Sequence, residues 1–173
     1  WLKPRTWTET FSETPGATVR YTTDGSPPTE TNGVVYTNPI TISASRIVRA
    51  VAFAPNLLPS RVVTHTYLYG LPANRRLLPA LSLVTATNNL YGKTGIMEFN
   101  PRNTTKHGIA WERPVSAELI RPEDNEGFQI DCGLRVQGGG YIRELYNYKT
   151  TTPPEGKYSF RLYFRGDYSE GRL

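Results

Sequence analysis

Lys157, Arg161 and Arg165 recur at every fourth position in a stretch where Tyr158, Phe160, Leu162 and Phe164 alternate with polar residues. Period-two alternation is the pattern of a half-buried strand, so the three cations fall on its polar face. A row of like charges needs either acidic neighbours or an anionic ligand. Glu118, Asp131 and Arg135 lie on two earlier alternating stretches and are expected to share that face. A lattice of cross-strand ion pairs, each worth less than about 1 kcal/mol when exposed, is the simpler reading. The sharper reading is a site in which Lys157 or Arg161 holds a phosphate group.

Other chemistry-bearing residues offer less. Asp24, in Asp24-Gly25-Ser26-Pro27-Pro28, reads as a turn residue whose carboxylate caps local amides. A calcium or sugar ligand is the competing reading, and Ca²⁺ wants about 6–8 oxygens, with no second carboxylate close by. His65 and His107 are far apart and have no Cys partner, so no metal site is expected. Gly138-Gly139-Gly140 lacks the spacing and the following Lys-Ser/Thr of a phosphate-binding loop and reads as a bend. Asn103-Thr104-Thr105 fits the glycosylation pattern, and Arg165-Gly166-Asp167 spells an adhesion tripeptide. Both are short enough to occur by chance. Trp111 reads as a core anchor before a sugar-stacking platform. No catalytic residue is assigned.

These residues are carried by strands. Phe128, Ile130, Cys132, Leu134 and Val136 alternate with polar positions, and a third run places Val115, Ala117 and Leu119 inward with Ser116 and Glu118 outward. The turn-like 121–127 between the two runs predicts an antiparallel meander. Ala80–Thr85 reads as a short strand, and Thr85 or Thr87 as the cap of a helical turn ending at Leu90. Upstream, strands are expected at 17–23, 35–36, 40–43, 46–54 and 60–69. Pro15-Gly16, Asp24-Gly25, Asn32-Gly33 and Pro55-Asn56 punctuate them. Trp7 and Phe11 are expected to anchor an edge strand. Short strands about ten residues apart, with no helical pattern between them, indicate a small antiparallel sandwich.

The fold class expected is mostly β. A small immunoglobulin-like antiparallel sandwich over 1–70 is followed by a linker, 71–78, and an incomplete antiparallel β-rich α+β lobe over 79–173. Eleven Tyr and an aromatic content of 12% suit pleated surfaces. No run of about 18 apolar residues exists, so no membrane-spanning helix is expected. The net charge of +5 is spread over both halves and gives no basic tail, so nucleic acid is not an expected partner. The lone Cys132 excludes an internal disulfide. Starting at Trp1 and stopping just beyond a strand, the chain reads as an internal piece of a longer protein.

Two resemblances sharpen this. Val19-Arg20-Tyr21-Thr22-Thr23-Asp24-Gly25-Ser26-Pro27-Pro28-Thr29, Val35-Tyr36, Pro39-Ile40, Val48-Arg49-Ala50-Val51-Ala52 and Pro59-Ser60 resemble the chitobiase/β-hexosaminidase C-terminal domain over about 8–69. That resemblance implies a non-catalytic, immunoglobulin-like accessory module of secreted bacterial proteins. From 78 to 173, five groups of residues resemble the start of the CotH-like family of spore-coat and secreted proteins, which have an atypical protein-kinase fold. The groups are Pro79–Thr85 with Gly95-Ile96, Trp111–Ser116, Gly127–Ile130, Gly133–Gly139 and Lys157–Arg165, and they occur in the family's order. This implies the first lobe of an ATP-dependent phosphotransferase at the bacterial cell surface or outside it. ATP and Mg²⁺ would be cofactors of the longer parent only, because the carboxylates that hold Mg²⁺ are expected beyond Leu173. The implied partners are neighbouring domains of the same chain and a protein substrate. Gln137 stands where a His commonly precedes the Gly pair, and 141–155 is a divergent insert. Both features point to the alternative reading: an extracellular carbohydrate-binding or adhesion module, with a cell-surface glycan as partner and the kinase-like part a degenerate scaffold.

Overall fold

The structure is a computed structural model and describes residues 6–7, 14–98, 100–122, 127–138 and 159–168. The chain is mostly β, as expected. In order, the elements are β1 (Thr6–Trp7), β2 (Thr18–Thr22), β3 (Val34–Val35), β4 (Ile40–Thr41), β5 (Arg46–Phe53), β6 (Val63–Tyr67), β7 (Ala80–Val84), α1 (Thr87–Leu90), β8 (Arg113–Ile120), β9 (Gly127–Val136) and β10 (Phe160–Tyr163). Strands of the first part pair in the order β3-β2-β5-β6, with β1 and β4 forming a separate ribbon, and the later ones in the order β10-β9-β8-β7. The chain divides into two compact units, Trp1–Ser82 with Glu118–Gln129 and Leu83–Ala117 with Ile130–Leu173.

In the first unit β2 runs antiparallel to β5, with Arg20 opposite Val51, and β5 runs antiparallel to β6, with Val48 opposite His65. The turns sit where the sequence puts them. Asp24 accepts from the Ser26 backbone N–H at 3.0 Å and from its hydroxyl at 2.6 Å, so the carboxylate closes its own turn. Those two bonds, the side-chain one first, hold its pKa below the ordinary carboxylate value. Gly33 has φ 101°, and a Cβ there would meet the Tyr21 carbonyl oxygen at 2.7 Å, so only glycine fits beside β2. Ile42, Val48, Ala50 and Val51 are buried.

The second unit is built on β9. Cys132, Leu134 and Val136 point to one side and pack with Val115 and Ala117 of β8 and with Ile96 and Met97 of a loop. Leu83, Leu90, Trp111, Ile130, Phe160 and Leu162 pack around that cluster, so Trp111 is a core anchor. β9 and β10 pair antiparallel, with Arg161 opposite Arg135 and Tyr163 opposite Gly133. The Gln137 N–H continues the ladder to the Ser159 carbonyl at 2.8 Å.

Three local expectations are corrected. Neither Thr85 nor Thr87 caps α1: the N-cap is Ala86, with no side-chain bond. The Thr85 hydroxyl instead donates to the Pro114 carbonyl at 2.6 Å and accepts from Asn89 Nδ2 at 2.7 Å, tying β7 to β8. Ser116, expected to face outward, is buried. Phe164 lies past the end of β10 and is 36% exposed, since the alternation stops with the strand. Residues 71–78 include a 3-10 turn, Ala73–Arg75. The insert 141–155, the glycines 139–140 and Phe11 lie outside the described residues.

Candidate functional site

The densest polar cluster in the second unit centres on a residue outside the expected row of cations. Glu112 follows a 3-10 turn, Ile109–Trp111, entered through Gly108 at φ 88°. Arg113 locks this corner: its Nη1 donates to the Ala110 carbonyl at 3.0 Å and its Nη2 to that of Thr94 at 2.8 Å, with its guanidinium 5.4 Å from the Trp111 ring centre. The Glu112 side chain is fully buried, at 0% exposure. It can lie there because Gly133 of β9 has no side chain. A Cβ at Gly133 would fall 2.5 Å from both Cγ and Cδ of Glu112.

Two arginines converge on that carboxylate. Arg135 Nε and Nη2 both donate to Oε2, at 2.8 and 2.6 Å. Arg165 Nε donates to Oε1 at 3.1 Å. A turn from Arg165 to Tyr168, closed by a 3.1 Å backbone bond, brings the Tyr168 phenol beside the same group. Tyr163 packs against both cations, its ring centre 4.1 Å from the Arg135 guanidinium and 5.1 Å from that of Arg165. Burial alone pushes the Glu112 carboxyl up, but the bonds from Arg135, Tyr168 and Arg165 and the Arg135 charge outweigh it, leaving the pKa below the ordinary 4.5. Burial and the bond to Glu112 push the Tyr168 phenol above its ordinary value. The result is a clasp of one carboxylate between two guanidinium groups, with one positive charge in excess, that holds residues 165–168 on the sheet.

The expected lattice is therefore redrawn. Arg135 and Arg165 pair with Glu112, which charge alternation alone did not single out. Glu118 instead accepts from the Thr66 N–H at 2.6 Å and lies 3.4 Å from His65 Nδ1, within the first unit. Beside it Thr66 and Ser82 share a 2.7 Å hydroxyl bond. Arg161 is exposed on β10, and its side chain has no hydrogen bond or ion pair among the described residues. Lys157 lies outside them. The signal for Glu112 was Gly133: a glycine within a strand marks a place where something comes close to the backbone.

The remaining motifs resolve into structure. Asn103 is buried, and its Nδ2 donates to the carbonyls of Lys93 at 2.9 Å and Gly95 at 3.0 Å. The arginine of the adhesion tripeptide is the one clasping Glu112. Cys132 is in the core, its thiol pushed up to about 11 first by burial and then by Asp131 and Glu112. No group of three His, Cys, Asp or Glu suited to a metal ion occurs among the described residues. No helix among them is long and apolar enough to cross a membrane.

In the first unit a cleft of about 490 Å³ opens between β5, the loop after β2 and the β5–β6 loop. Pro28, Val51, Phe53, Pro59 and Val62 give it an apolar lining, and Glu30 is its one charged residue. Comparisons with known proteins divide the chain. Residues 9–67 match a family model described as Fn3 associated, so this stretch is similar to fibronectin-III-associated, immunoglobulin-like β domains. No curated protein and no solved structure matches the chain.

Proposed function

We propose that the chain joins a non-catalytic accessory domain, of the chitobiase/β-hexosaminidase C-terminal kind, to the opening lobe of a CotH-like phosphotransferase in a secreted or surface bacterial protein. One observation supports the second half. All five groups that carry the CotH resemblance contribute to the four strands of a single sheet, and three of the five groups each deliver one member of the buried clasp: Glu112, Arg135 and Arg165. Chance similarities scattered over a hundred residues have no reason to meet at one carboxylate.

The described residues do not fit Mg–ATP. They offer no carboxylate set for the metal, and Arg135 and Arg165 are committed to Glu112. Of the expected phosphate contacts, Arg161 alone is described and unengaged. On this reading the metal-holding carboxylates lie in sequence outside these 173 residues, and the lobe's part is to present a rigid sheet.

The test is radiolabelled ATP turnover by the parent protein, with and without Mg²⁺, beside the 173-residue chain. Mg²⁺-dependent phosphate transfer to a protein acceptor by the parent, and none by the shorter chain, is expected. A parent that neither binds ATP nor transfers phosphate would overturn the proposal.

A further inference from the structure

Two features of the first unit complement each other. The first is the cleft, with its apolar lining and a single charged residue, Glu30, which is exposed and has no hydrogen bond or ion pair among the described residues. Its hydroxyls are already used. Thr29 Oγ1 accepts from the Asn32 N–H at 2.9 Å, and Ser60 Oγ accepts from the Ala52 N–H at 2.9 Å while donating to the Arg61 carbonyl at 3.0 Å. A neutral sugar would find few open polar partners there, whereas an apolar segment carrying one cation would find both a lining and a counter-charge.

The second feature is the segment after Gly70. Arg75 ends a 3-10 turn, and Leu77 and Leu78 follow at 75% and 59% exposure. Arg75 is exposed and its guanidinium has no partner among the described residues, while that of its neighbour Arg76 is held to the Leu71 carbonyl at 2.8 Å. Adjacent leucines left in water beside a free cation are an interaction surface without its partner. The described residues do not bury them.

We propose that the Arg75–Leu78 segment of one copy docks in the cleft of a second copy, Leu77 and Leu78 against Val51, Phe53 and Pro59, and Arg75 against Glu30. The two surfaces are different patches of one molecule, so the contact is heterologous and propagates head to tail.

The probe is the acetylated, amidated heptapeptide Ala-Asn-Arg-Arg-Leu-Leu-Pro, the sequence of residues 73–79, titrated into the 173-residue chain and followed by backbone amide NMR. Shifts centred on Val51, Phe53, Thr31 and Ser60 are expected, and they vanish when both peptide leucines become serine. Glu30→Arg in the protein weakens binding about three- to tenfold, and a peptide with Arg75→Glu restores it to that variant. In sedimentation velocity the chain's average mass rises with concentration past the dimer, and Leu77→Ser/Leu78→Ser keeps it monomeric. Glu30 and both leucines are exposed, and retained amide dispersion verifies that each variant is folded. Absence of peptide binding, binding indifferent to Glu30→Arg, preferential shifts with chitotriose, or a chain that stays monomeric would each overturn the proposal.

Discussion

At the scale of single residues, Glu112 carries the most weight. A buried carboxylate shared by two guanidinium groups and a phenol is expensive to strip of one partner, because what remains is charge out of water. Glu112→Ala is expected to lower unfolding free energy by about 2–4 kcal/mol in urea titrations, and Arg135→Ala by a comparable amount. Arg165 is 38% exposed, so Arg165→Ala should cost about 1 kcal/mol or less. An equal cost for all three would contradict this ordering. Cys132 supplies a second check. Held protonated in the core, its thiol should react with a disulfide reagent only as fast as the protein unfolds. Rapid labelling in native buffer would mean that β9 is not packed as described.

At the scale of elements, Gly133 links strand to site. Gly133→Ala drives a methyl group into Glu112, so the clasp must open or β9 must bend. Its destabilisation should match or exceed that of Glu112→Ala. The double variant should cost clearly less than the two effects added, because one change removes what the other collides with. Much at this scale was legible beforehand. Alternation in Phe128–Val136 and 158–164 gave the β9–β10 pair, and the Gly and Pro signals gave the turns of the first sheet. What escaped was contact between positions far apart in sequence. Alternation says which side of a strand a residue faces, not which distant carboxylate it meets, so Arg135 and Arg165 could be put on the polar face while Glu112 stayed unseen. The helix cap failed for a related reason: the Thr85 hydroxyl donates to the Pro114 carbonyl and accepts from the Asn89 side chain, rather than accepting from a backbone amide of α1. Asn103 shows the same limit. Its tripeptide pattern is real, yet both amide hydrogens are spent on loop carbonyls, so expression in a glycosylating host should yield no glycan at that position by mass spectrometry.

At the scale of the whole molecule, the titrating groups set a direction for acid stability. Glu112 and Asp24 both have folded-state pKa values below their ordinary ones. The unfolded chain therefore takes up protons first as pH falls. The stabilisation is fully present above the ordinary carboxylate range and is lost as pH drops through it and below. Thermal midpoints should be level near neutrality and decline below about pH 4.5, and Glu112→Gln should flatten that decline. A midpoint that rises on acidification would refute the account. The two units are also not contiguous in sequence: the first takes back residues 118–129 after the chain has left it at Ser82. The bond from the Thr66 amide to Glu118 spans 52 positions. A ribosome that has just released Ser82 has therefore not yet supplied the carboxylate to which the Thr66 amide donates. During synthesis β6 can pair with β5 at once, but the Thr66 amide gains its carboxylate only after about fifty more residues emerge, so a premature stop within that window leaves the first unit without residues 118–129.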